Sequence, residues 1–505
     1  MHRHIQLALL LTILLAAVRC VNATPTPTLP FAPDVTPTAV PTLPPTIEVQ
    51  DVGNLTDAEK RDLMFTMSEG SATQALAALE VVGSAEDEQF IPVLIELVRS
   101  GQLGITPWAT GSQLPDTLEQ LSGQTFGNNW FEWIEWYGAT DIEPPDGFTG
   151  WKGTLMSRID SRFNVFFQDD HPSNLRVEEI QWGGVRLDGI PALDYVNQVE
   201  PAEASYLEPT EPVFGLSING DSRAYPLRMM DWHEMANDEV GGVPVSIAYC
   251  TLCGAAVAFD GRASNGETYD FGSSGFLYRS NKLMYDRQTG TLWNQLTGEP
   301  VLGPLADDDL QLDVLPILLT TWSDWHAQHP DTTVLDIDTG FRRDYTLGKA
   351  YASYFSSADT MFPVWQRSDL LPDKSHIYAL RINGEPKAYP IEAVLAERVV
   401  NDELAGTSVV LVAAGEMVRV EADGRTGAQV SYTSGAQVRA YERGDHQFTA
   451  GSADMTLVDE TGTMWTVTED GLISEDGATL PRLGGHLAYW FGWFAFFPNT
   501  AVYGQ

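Results

Sequence analysis

Between Asp57 and Tyr137 the apolar residues recur at helical spacing. Ala75, Leu76, Leu79 and Val82 form one stripe, Phe90, Val93, Leu94, Leu97 and Val98 a second, and Trp130, Trp133, Ile134 and Tyr137 a third. Each stripe needs a covering neighbour, so residues 51–145 are expected to form a small HEAT-like stack of antiparallel helices. The Trp-rich stripe could serve as a carbohydrate platform, but its i, i+3, i+7 spacing favours core. Farther along, the period changes. Short apolar runs such as Val243–Ala248, Ala255–Phe259 and Val409–Val412 are bounded by Gly, Asn, Asp and Pro, which reads as strands joined by tight turns. Pro226–Met235 and Pro390–Val399 read as single helices that follow a strand. The predicted class is α+β, a helical front piece followed by β-rich units.

Those units repeat. SINGDSRAYP and WHEMANDEVGG in the first stretch are matched by RINGEPKAYP and LAERVVNDELAG in a second. Asn219, Tyr225, Pro226, Asn237, Asp238 and Gly242 recur as Asn383, Tyr389, Pro390, Asn401, Asp402 and Gly406, each 164 positions on. Later, Thr289, Thr291 and Trp293 recur as Thr461, Thr463 and Trp465, and Trp322, Trp325 and Pro330 as Trp490, Trp493 and Pro498. The expectation is two tandem copies of one unit, residues 146–345 with a lead-in segment and a degenerate copy at 346–505.

The differences between the copies point to chemistry. His233 faces Glu397, Glu234 faces Arg398, Tyr249 faces Ala413, Cys250 faces Ala414 and Cys253 faces Met417. His326 and His329 face Phe494 and Phe497. At these positions thiols and imidazoles stand in the first copy alone, so the first copy is the candidate active one and the second its partner. Drift of a spare duplicate would produce the same contrast.

Composition narrows the setting. The 505 residues carry 69 acidic and 29 basic side chains, a formal charge of −40, which disfavours nucleic acid and anionic lipid as partners. Residues 1–22 have a basic start and the apolar run Leu7–Val18, the layout of a secretory signal and too short for a membrane helix of about 20 residues. Residues 23–50 are rich in Thr and Pro and read as an extended tether. Cys20 is a candidate lipid acceptor, although Arg19 departs from the small residue such a signal uses. The expected address is extracytoplasmic, secreted or tethered at the surface, with no integral membrane span after the signal is removed.

Past the leader only Cys250 and Cys253 remain, at C-x-x-C spacing before Gly254. Three chemistries use that spacing. A metal centre would take both thiolates with His233, and Glu234 or Met284 as further ligands; sulfur-rich ligation favours copper over zinc, whose full signature would need a second pair. Its role would be metal handling or electron transfer. A redox dithiol would cycle between thiols and disulfide. A structural disulfide in a non-enzymatic binding or scaffold module is the third reading, though so short a loop restrains little chain entropy. The zinc-protease motif is absent, since Asn237 follows His233 by four. The stretch Phe271–Glu299 gathers Ser273, Ser274, Tyr278, Asn281, Asp286, Arg287, Trp293 and Gln295, which with Tyr249 could line a pocket. Hairpin turn chemistry accounts for the same residues, and Ser274 does not meet the nucleophile pentad.

DGIPALD (Asp188–Asp194), RAYPLRMMDWHEMANDEVGG, YCTLCG, FGSSGFLYRSNKLMYDRQTGTLWNQLTGE and GFRRDY (Gly340–Tyr345) resemble the bacterial and archaeal family catalogued as domain of unknown function 3179, over roughly Asp188 to Gln505. The family's pattern has Pro where this chain has Thr251 and Ser where it has Gly290 or Thr291. The resemblance implies a fold family and an extracytoplasmic address but no activity.

Overall fold

In the computed structural model, residues 49, 51–424 and 427–505 are described. The leader, Cys20 and nearly all of the tether therefore lie outside the described residues. Among the described residues no helix is long and apolar enough to cross a membrane.

Helices run over Asp57–Glu69, Ala72–Ala85, Ile91–Gln102, Gln113–Ser122, Trp130–Tyr137 and Phe148–Ser157. The first two begin with capping boxes, Thr56 with Glu59 and Ser71 with Gln74, which satisfy orphan N–H groups at each start. The second and third apolar stripes are buried throughout, whereas the first is rotated slightly, with Ala78 inside and Leu76 only half-buried. Trp130, Trp133, Ile134 and Tyr137 are core, and the Trp133 indole N–H donates to Gly127 O at 2.8 Å. The helical core does not stop at residue 145. Trp151 donates to Met64 O at 2.9 Å, and Phe163, Phe166 and Phe167 pack their rings on Phe276 of the first β-rich half. Helical and β regions are thus joined by continuous burial.

The β-rich remainder opens with three five-stranded sheets. One joins 212–218, 221–226, 318–321, 333–335 and 198–199, and a second joins 235–240, 243–250, 255–263, 312–315 and 193–194. The third joins 271–278, 281–286, 292–294, 300–302 and 180–182. The later part has a four-stranded sheet (376–382, 385–390, 485–489, 501–502), an eight-stranded sheet that begins 399–404, 407–414, 437–442, and the hairpin 419–423/429–433. The helices expected after strands are observed at Leu227–His233 and Ile391–Glu397.

Local bonds match between the two parts. The Asn237 side chain brackets the Phe271 backbone with two hydrogen bonds, and Asn401 does the same to Phe448. Tyr225 donates to Asp238 and Tyr389 to Asp402. Trp325 donates to Thr332 at 2.8 Å and Trp493 to Thr500 at 2.9 Å. Asp286 accepts from Trp293 and Thr289, as Asp459 does from Trp465 and Thr461. Strand 333–335 pairs parallel to 221–226 with Val334 opposite Ala224, and 501–502 pairs parallel to 385–390 with Val502 opposite Ala388. The two parts bury their sheets against one another, so that Leu216, Ile247 and Tyr249 share a core with Leu380, Tyr389 and Leu411.

Candidate functional site

Strands 243–250 and 255–263 pair antiparallel, and the Thr251–Gly254 turn joins them. Gly254 holds φ at +59°, a conformation that side-chain-bearing residues rarely adopt, and this lets the turn close. Cys250 and Cys253 are joined as a disulfide with their Cα atoms 5.5 Å apart. Both are buried, at 2% and 0% exposure. Gln295 ties the flanking strands together, its amide donating to Ala248 O and Ala255 O.

The cover over this turn comes from the later part of the chain. Tyr489 N donates to Cys253 O at 2.7 Å, and Tyr354 donates its hydroxyl proton to Leu252 O at 2.6 Å. At Gly492 an added Cβ would stand 2.6 Å from Cys253 Cβ, so the backbone there lies directly on the cysteine. Asn281 reinforces this approach by donating to Gly492 O.

Ionisable groups are buried next to the turn. Thr251 donates to Glu234 Oε1 at 3.0 Å, and Lys282 Nζ lies 3.3 Å from both Glu234 Oε2 and Glu234 O. Burial pulls the Lys282 ammonium below its usual range, with Glu234 opposing. Asp231, 2% exposed, has no hydrogen-bond partner for Oδ1 among the described residues; burial pushes its carboxyl well above the ordinary range, and Glu234 and Glu211 add to the shift. Glu234 sits at φ +57° where helix 227–233 ends, and Arg398 sits at +66° where helix 391–397 ends, so this strained backbone is not peculiar to the site.

Both ring nitrogens of His233 are engaged by bonds of their own. Its Nδ1 lies 2.8 Å from Pro191 O, which can only accept, so Nδ1 carries the proton. The Nε2 lone pair therefore faces the Tyr345 hydroxyl at 2.6 Å, which is joined in turn to Thr339. Burial lowers the imidazole pKa to about 4, leaving it neutral near pH 7. Met284 shares an apolar core with Cys250, Cys253 and Trp293. Among the described residues no three His, Cys, Asp or Glu side chains gather as a metal-holding group.

The other expected pocket residues engage bonds of the fold. Ser274 donates to Leu283 O, Arg287 to Asp194 and Trp293 to Asp286, while Tyr249 and Tyr278 pack on Phe214 and Phe496. Ser273 is buried in strand 271–278.

The profile of the family described as protein of unknown function (DUF3179) matches residues 187–500. The chain belongs to this family. No curated protein and no solved structure matches it. The DUF3179 span contains the whole cluster and draws separate motifs together: Pro191 of DGIPALD and Tyr345 of GFRRDY grip His233, while Asp194 accepts from Asn237 and Arg287.

Within the DUF3179 span, sequence reasoning reached Glu234 but missed its partner Lys282 and the nearby buried Asp231. Asp231 stands where Leu395 stands 164 positions on. Met284 pairs with Trp293 and Leu457 with Trp465, a register that sets Lys282 opposite Met455. A comparison of the two stretches for every buried charge, and not for Cys and His alone, would have found Asp231 and Lys282.

Proposed function

We propose that this protein is an exported thiol–disulfide redox protein whose centre is Cys250–Cys253. The observation that carries the reading is the burial of Asp231, Glu234 and Lys282 beside the disulfide, where Leu395, Arg398 and Met455 stand in the later stretch. Buried charge is destabilising and adds nothing to a passive cross-link. It does supply proton donors and acceptors for sulfurs that must change protonation in a dry environment. In the reaction, a partner's thiolate attacks one sulfur and forms a mixed disulfide. The partner's second thiol then displaces the cysteine, so the partner gains one S–S bond while Cys250 and Cys253 take up two electrons and two protons. Exchange requires the Thr251–Gly254 turn to leave its cover at Tyr489 and Gly492.

The leader-like stretch 1–22 and a bonded cysteine pair support an extracytoplasmic address, with residues 23–50 as tether and Cys20 as candidate anchor. We also infer that the two β-rich stretches are copies of one unit, the second degenerate, on the strength of the matching Asn–Phe, Tyr–Asp and Trp–Thr bonds. The front helices then act as a HEAT-like docking piece.

Equilibration against thiol buffers tests the centre. A reduction potential above about −300 mV supports exchange, whereas a lower one makes the bond a passive strut and favours a scaffold module. Metal handling stands as a second reading because Met284 shares the core of the two cysteines. It requires the disulfide to be reduced and His233 to part from Tyr345. Copper content of the reduced protein, with and without Cys250→Ser/Cys253→Ser, separates the two.

A further inference from the structure

A cavity lies where helices 91–102, 130–137 and 148–157 meet strand 180–182 and Trp365. Counting its mouth, it leaves about 370 Å³ free of atoms, of which about 10 Å³ is open to the centre of a water molecule. The deep end therefore has room for one small polar group. Among the described residues, three buried polar atoms of its lining side chains have no hydrogen-bond partner: Gln181 Nε2, Gln181 Oε1 and Trp365 Nε1. Gln181 is 4% exposed and Trp365 1%.

Arg99 also lines the cavity, and its guanidinium stacks 4.2 Å from the Trp130 ring centre. Among the described residues the guanidinium makes no hydrogen bond or close ion pair. The two carboxylates on the wall are already held, Glu96 by Lys152 at 3.1 Å and Glu178 by Arg176 at 2.7 Å. Among the described residues the wall thus carries one guanidinium without a hydrogen-bonded partner, on which Glu96 acts only electrostatically, two unused N–H donor groups and one unused acceptor, beside the apolar surfaces of Ile134, Met156 and Trp182.

A water molecule could satisfy the Gln181 amide, but it offers the guanidinium no opposite charge. A planar anion accepts from the Gln181 Nε2 and Trp365 Nε1 N–H groups and also pairs with the guanidinium, because a guanidinium and a carboxylate form two parallel hydrogen bonds. We propose that this cavity binds a short-chain organic monocarboxylate, its head on Arg99, Gln181 and Trp365 and its tail in the aromatic mouth. The ligand would bridge the helical front piece and the DUF3179 region, because Trp365 lies on the connector that Gln366 fastens to Gly138 O.

Trp130, Trp182 and Trp365 make the site its own reporter. Titration of the full chain with propionate should change tryptophan emission saturably, and neutral propionamide should not. Arg99→Gln should weaken propionate at least about tenfold, the scale of a lost charge-assisted pair. The wild-type chain provides a second readout that needs no variant, since propionate and not propionamide should raise its Tm. An absent or non-saturable response overturns the proposal, as does an equal response to propionamide or inorganic phosphate, or an unchanged affinity in a folded Arg99→Gln. The Cys250→Ser/Cys253→Ser protein should bind propionate normally, so loss of the redox reading leaves this one intact.

Discussion

Lys282 holds its ammonium 3.3 Å from Glu234 Oε2, inside the protein and beside the turn that carries the disulfide. A pair of this kind is held against its own desolvation, and removing one partner strands the other. Lys282→Met, the residue found at the matching place in the later stretch, should cost about 3–5 kcal/mol by denaturant unfolding. Glu234→Gln combined with Lys282→Met should recover most of that loss. Additive losses would mean that the two groups do not interact.

Asp231 should make the protein less stable as the pH rises. Its folded pKa is raised, so the native state keeps a proton that the unfolded chain releases above about pH 4. Stability from this group is full below that point and declines above it. Asp231→Asn should flatten the decline, read as unfolding free energy in urea across pH 4 to 8. A parallel offset at every pH would show that Asp231 is ionised in the native state.

His233 works in the opposite direction. Its folded pKa of about 4 lies below the ordinary 6.5, so the unfolded chain binds the proton first and stability is lost as the pH falls between those values. Its ring resonances should show no titration from pH 5.5 to 8. Tyr345→Phe strands the Nε2 lone pair and should cost about 1–3 kcal/mol.

Gly492→Ala would push a methyl group into Cys253 and should destabilise by about 1–3 kcal/mol. If the cover governs access to the sulfurs, the same change should speed reduction of the disulfide by dithiothreitol at native pH. An unchanged rate would mean that sulfur access does not depend on this contact.

The sequence made the periodic parts readable. Trp130, Trp133, Ile134 and Tyr137 lie on one buried face because a helix of that spacing has a single apolar side, and strands 243–250 and 407–414 follow from their β-branched runs. The contrast between the two stretches singles out Cys250, Cys253, His233 and Glu234 in the sequence itself. What stayed hidden was pairing over distance: nothing local says that Tyr345 meets His233 or that Gly492 presses on Cys253. The hairpin 419–433 enters where the first stretch has only the Thr251–Gly254 turn, and that insertion obscures the alignment of the two loops.

Tyr489 and Gly492, which close over Cys253, are synthesised nearly half a chain later. If the chain is exported as proposed, a nascent polypeptide emerging into an oxidising space leaves its thiols open to a passing oxidase until the tail arrives. Chain order alone sets the sequence of maturation: cross-link first, seal second.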